Sequence, residues 1–97
     1  MSSLIKDYQE TLPLQFDFTD SLNGETITSG MLSVLVTSGN DASPTALFGG
    51  AATIGASSII QFLTAGVINT FYHIRCIVNT SGNRVLVVSA DLQIIKR

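Results

Sequence analysis

Apolar residues recur at every second position along most of this chain, and no other feature limits its fold as much. A spacing of two sends successive side chains to opposite faces of an extended strand, whereas a helix needs spacings of three and four. Leu12, Leu14, Phe16 and Phe18 alternate with Pro13, Gln15 and Asp17, which predicts a strand with one wet face. Pro13 has no amide hydrogen to give a neighbour, so this strand belongs at or near a sheet edge. The turn formers of TDSLNGE follow, and Ile27 opens a second extended region. Within it MLSVLVT, residues 31–37, is β-branched and apolar enough to predict a buried strand.

Residues 38–46, SGNDASPTA, form a loop by composition. Short strands are expected at 47–48, 52–54 and 58–63, separated by Gly49–Gly50 and Gly55. TFYHIRCIVNT and RVLVVSADLQII then read as a long hairpin about SGN. Six or seven short strands with turn signals every 8–12 residues predict an all-β fold, an immunoglobulin-like antiparallel β-sandwich of about seven strands. The sandwich is expected over residues 11–97. Residues 1–10 have too little apolar patterning to fold alone and are expected as an extended N-terminal arm that orders on a partner. Tyr72 stands where the penultimate strand begins. It is either a tyrosine corner, its hydroxyl tied to nearby backbone, or a half-buried strand residue; a spacing of four to Cys76, where a corner has two, leaves both open.

Charge is scarce: Asp, Glu, Lys and Arg make up 12% of the 97 residues, about half the usual share. A net charge of −2 gives no basic footprint, so no nucleic-acid partner is expected. Ser and Thr, about a fifth of the chain, fill the surface with polar but weakly repelling groups, which suits a protein packed among neighbours. The single cysteine excludes an internal disulfide. No secretory leader is read at the N-terminus. Residues 42–73 hold no charged residue, yet Gly, Ser, Thr and Gln interrupt their core, ALFGGAATIGASSIIQFLTAG, and no Lys or Arg flanks that core closely, so buried strands are expected and not a membrane span.

Residues 15–30 gather three of the seven acidic residues, Asp17, Asp20 and Glu25. A calcium loop needs oxygen ligands at alternate positions, then Gly, then Glu six further on, and the spacing here fails that pattern. Asp20, Asn23 and Gly24 are turn residues, and Asp17 lies on the wet face of its strand. His73 is the sole histidine. No nucleophile elbow, zinc-binding HExxH or phosphate-binding loop accompanies it. Cys76 shares the inward face with Ile74 and Val78 and reads as a small buried hydrophobe. No catalytic, metal or cofactor-binding residue is expected, and no enzyme.

Register sharpens this. A two-residue loop at Gly82–Asn83 would set Ile74 against Asp91 and Cys76 against Ser89, mixing polar with apolar on one face. A three-residue loop, residues 81–83, sets Tyr72 against Leu92, Ile74 against Ala90, Cys76 against Val88 and Val78 against Leu86. Asn83 tolerates the positive φ that such a loop ends on. The other face then pairs His73 with Asp91 and Arg75 with Ser89, and around them stand Phe71, Ile77, Val85 and Val87. A strand apolar on both faces implies that both are covered, either by another protein or by the loop at residues 38–46. Phe71, His73, Arg75, Ile77, Val85, Val87 and Asp91 are therefore the candidate interaction residues.

With these pieces in order, KDYQETLPLQFDF, SLNGETITSG and INTFYHIRCIVNTSGNRVL, the chain resembles the small immunoglobulin-like structural proteins of tailed bacteriophages, the fibre-to-tail adaptor or neck-type family. The resemblance spans nearly the whole chain. It implies a non-enzymatic virion protein, made in the host bacterial cytoplasm, that serves as an adaptor or connector subunit at a neck or tail interface. Its partners would be tail, neck or fibre components and other copies of itself in a homo-oligomer or ring, with no membrane. A capsid-decorating protein and an immunoglobulin-like binding module of a bacterial surface protein are the alternatives.

Overall fold

The computed structural model describes residues 2–97. Seven strands follow one another: β1 (Ser2–Asp7), β2 (Leu12–Asp17), β3 (Ile27–Ser38), β4 (Thr53–Ile54), β5 (Ser58–Leu63), β6 (Thr70–Thr80) and β7 (Val85–Ile95). One short helical turn, α1 (Thr19–Leu22), links β2 to β3, and a 3-10 turn at Pro44–Leu47 lies between β3 and β4. The strands form two sheets, ordered β1-β7-β6-β3 and β2-β5-β4. All pairings are antiparallel except β1 with β7. The fold is an all-β sandwich.

Alternation decides what each sheet buries. Along β6, Thr70, Tyr72, Ile74, Cys76, Val78 and Thr80 are buried while the residues between them are half-buried or exposed. They meet Leu14, Phe16, Ile59 and Leu63 of the smaller sheet, and Phe18 and Leu22 close the core beside α1. Burying each large apolar side chain contributes roughly 1.5–3 kcal/mol. Pro13 lies in β2, an edge strand, as its missing donor requires.

The β6–β7 hairpin closes through residues 81–83: the Asn83 amide donates to the Thr80 carbonyl, and Asn83 takes a φ of 62°. Tyr72 opposes Leu92, Cys76 opposes Val88 and His73 opposes Asp91, the register that face consistency demands. Tyr72 is a corner. Its hydroxyl accepts the Val67 amide at 3.0 Å and donates to Asp41 Oδ2 at 2.7 Å, tying β6 to the segment before it and to the loop after β3.

Three expectations are corrected. Residues 2–7 are not a free arm but β1, laid parallel along β7 with Ser2 at Ala90 and Asp7 at Ile95. Weak apolar patterning suffices there because the edge of β7 supplies backbone partners. Lys6, buried on the inner face, donates to the Ala65 and Asp7 carbonyls at 2.9 and 3.0 Å. Met1 of the expected arm lies outside the described residues. The strand expected at 47–48 is the end of the 3-10 turn plus one isolated bridge, Phe48 to Leu63, since Pro44 favours a tight first turn. Residues 31–37 are not a buried strand: β3 is the outer edge of its sheet, with Leu32, Val34 and Val36 half-buried and the residues between them exposed. Among the described residues, no helix is long and apolar enough to cross a membrane.

Removing the Tyr72 hydroxyl orphans the Val67 amide, so Tyr72→Phe is expected to cost about 1–3 kcal/mol in urea unfolding. Burial also raises the hydroxyl from 10.0 to about 12 and the Cys76 thiol from 9.0 to about 11. Both groups fold best protonated, so their stabilisation is complete below the ordinary values and lost as pH rises through 11 and 12. A melting temperature that stays flat between pH 9 and 12 would contradict this.

Candidate docking surface

The outward faces of β1, β7, β6 and β3 make one surface, and the pairings set its rows. Ser3, Asp91, His73 and Leu35 lie side by side, and so do Ser89, Arg75 and Ser33. Val87, Ile77 and Met31 form an unbroken apolar row beyond them. At the opposite end Ile5 and Phe71 flank Gln93. A polar band therefore separates two apolar patches. Val85 is 62% exposed, Val87 45% and Phe71 40%, left uncovered by the other described residues. The loop after β3 is engaged elsewhere: Asp41 holds Tyr72, and Leu47 is buried in the core.

All seven candidate residues share this outer face. Phe71, Arg75, Val85 and Val87 are exposed, while His73, Ile77 and Asp91 are half-buried. Sequence reasoning missed Met31 and Leu35, at 69% and 63% the most exposed large apolar side chains on the sheet, and also Ile5. The signal was available: MLSVLVT is apolar at both parities, the pattern that exposed the face of the hairpin. Treating it as buried on both sides concealed that β3 is an edge. Two shallow depressions mark the face, one bounded by Ser3, Ile5, Phe71 and Gln93, the other by Ser29, Met31, Ile77 and Asn79.

The polar groups here do not form a catalytic set. His73 Nδ1 lies 2.8 Å from Asp91 Oδ1, a cross-strand pair worth roughly 0.2–1 kcal/mol. No hydroxyl or thiol among the described residues hydrogen-bonds His73. Cys76 is buried on the opposite face, and burial pushes its thiol up, the reverse of an activated nucleophile.

The acidic stretch before β3 is dispersed into separate structural tasks. Asp17 Oδ1 accepts the Thr19 amide at 2.9 Å and its hydroxyl at 2.6 Å, starting α1. Asn23 and Gly24 take positive φ after that turn. Glu25 faces the other way, onto the β6–β7 turn. It accepts Arg84 Nε on both oxygens, at 3.0 and 3.2 Å, and the Thr80 hydroxyl on one. Arg84 Nη2 meanwhile donates to the Ser21 and Leu22 carbonyls at 2.9 Å, closing the end of α1. Gly82 leaves room beside this pair, since a side chain there would push the Glu25 carboxylate from its place. Sequence reasoning treated Glu25 as part of a turn and missed this clamp. Among the described residues no three His, Cys, Asp or Glu side chains group as a metal site.

Compared with known protein families, the chain matches the model described as podophage GP4 fiber-tail adaptor protein gp77, from residue 6 to residue 93. The chain belongs to this fibre-tail adaptor family. No curated protein matches it. The family makes it a structural adaptor of a phage virion, interacting with other virion proteins. This favours the adaptor reading over a capsid decoration or a bacterial surface module. The adaptor match begins at Lys6, the buried lysine of β1, and runs past Asp91 on the outer face.

The Thr80 and Arg84 contacts hold the Glu25 carboxyl below its ordinary value of 4.5. The clamp is thus fully stabilising above that value and is lost as pH falls through the depressed one. Glu25→Gln is expected to lower the melting temperature at pH 7, and the gap from the wild type should close on acidification below 4.5. A gap that persists at pH 2 would show that the clamp works by shape and not by charge.

Proposed function

We propose that the protein is a non-enzymatic, immunoglobulin-like connector subunit at the fibre–tail junction, and that it docks through the outer face of its four-stranded sheet. One observation carries the reading: toward their turn β6 and β7 are apolar on both faces, with Ile77, Val85 and Val87 outside, yet the described residues cover only the inner face. Another virion component then covers Val85, Val87 and Ile77. The charge-free row at the centre of that patch suits an interface, whose core is depleted in charged residues. The strand order supports the immunoglobulin-like description, since β2-β5-β4 opposed to β7-β6-β3 follows the B-E-D and G-F-C arrangement, with a tyrosine corner at the start of β6.

Several copies arranged about the tail axis, in a homo-oligomer or ring at the neck or tail, fit a connector. Synthesis in the host bacterial cytoplasm before assembly fits the same role. His73, Arg75 and Asp91 would orient the partner, because charge complementarity fixes register more than it adds affinity.

Val87→Asp tests the docking face. Val87 is partly exposed, so the variant is expected to keep its far-ultraviolet spectrum and a cooperative melt, within about 1 kcal/mol of the wild type. It should nevertheless be missing from particles assembled in its presence. Incorporation at wild-type level would reject the outer face as the docking surface.

A further inference from the structure

We propose that β3 is a self-pairing edge: two copies of the chain join β3 to β3, antiparallel about Ser33, in a two-fold dimer. Four strands end the two sheets, namely β1, β3, β2 and β4. Exposed edges are ordinarily blunted by charge, proline or shortness, because their unpaired backbone groups invite another strand. Three of these are blunted. β2 carries Pro13 and Asp17, β4 is two residues long, and β1 is six residues long and carries Lys6 and Asp7. β3 runs for 12 residues, ITSGMLSVLVTS, with no charge and no proline. Its register irregularities fall near its two ends, between Ile27 and Ser29 and between Val36 and Ser38, which leaves the middle regular.

The sequence of β3 says what pairs with it. A two-fold interface must be self-complementary, so that when one residue opposes a second, the second opposes the first. Antiparallel pairing about Ser33 sets Met31 against Leu35 of the partner subunit and Leu32 against Val34 of the partner subunit. Gly30 then meets Val36 of the partner subunit, and Ser29 meets Thr37 of the partner subunit. Small polar residues face small polar ones, and the two most exposed apolar side chains of the sheet cover each other. Moving the centre by one residue opposes Met31 and Leu35 to Ser or Thr instead. An odd offset turns the outer face of one copy toward the inner face of the other. Of the centres at Leu32, Ser33 and Val34, only Ser33 satisfies both conditions. Leu32, Val34 and Val36, left half-buried at the open edge, gain cover from the same pairing. The joined sheet has eight strands, and the apolar rows of the two outer faces become continuous.

The pairing needs no other virion component, so it is tested on the purified chain and stands apart from the docking of Val87. Sedimentation equilibrium is expected to give twice the 10.3 kDa chain mass. Ser33→Lys places like charges directly across the axis and should weaken association at least about tenfold, equivalent to roughly 1.4 kcal/mol, with the spectrum and melt retained because Ser33 is exposed. Ser33→Glu should do the same alone, and mixing the two variants should restore the dimer. Oxidised Ser33→Cys should crosslink to its own copy, since directly opposed residues lie about 4.5–5.5 Å apart, within disulfide reach. Cys76 does not compete, being buried. A wild-type chain that stays monomeric, or a Ser33→Lys variant that associates as tightly as the wild type, would overturn the proposal.

Discussion

β6 is paired along both sides, to β3 and to β7, and every row of the larger sheet is counted from it. A slip of one residue on either side would carry Tyr72, Ile74, Cys76 and Val78 out of the core and bring His73 and Arg75 in. Both ends of the strand are held against that slip. Tyr72 anchors the beginning through Val67 and Asp41, while Thr80 joins Glu25 and Arg84 at the end. The intervening residues need only alternate. That division explains how a 97-residue chain with so few charges keeps one register: the few polar contacts it has stand where the register is decided.

The parts of the fold that depend on alternation and turn chemistry were legible in the sequence. Pro13 marked an edge, SGN selected the three-residue turn, and face consistency paired His73 with Asp91. Contacts between segments far apart in sequence were not. Glu25 and Arg84 are 59 positions apart, and nothing local to either says that they meet. Lys6 looked like a surface residue of an arm, because its partner is a carbonyl of Ala65, which no pattern announces. The outer face was read correctly on β6 and β7, where two strands could be checked against each other. It was missed on β3, whose partner could not be inferred.

The motif residues behind the family likeness turn out to be the ones that hold the sandwich together. Lys6 and Asp7 seat β1, Phe16 and Phe18 fill the core, and Asp17 starts α1. Glu25 and Arg84 lock the hairpin turn, and Tyr72 makes the corner. Phe71, His73, Arg75, Ile77 and Val85 of the outer face also lie within the motif stretches, whereas Met31, Leu35 and Val87 do not. The motif stretches therefore carry the frame of the sandwich and part of its outer face together.

The parallel run of β1 along β7 has a mechanical consequence. Ser2 lies level with Ala90 and Asp7 level with Ile95, so the chain enters the sheet at one level of this ladder and leaves it at the other. Tension applied before β1 and after β7 pulls the two strands past each other along their own axes. All the slanted hydrogen bonds of the pair then share the load in shear, instead of opening one after another as in a peeled hairpin. The Arg97 amide bonded to Asp7 and the Lys6 ammonium bonded to the Ala65 carbonyl would have to break in the same event. A subunit strung between a fibre and a tail would thus resist pulling along that axis as a single unit and yield far more readily to a force that lifts β1 away sideways.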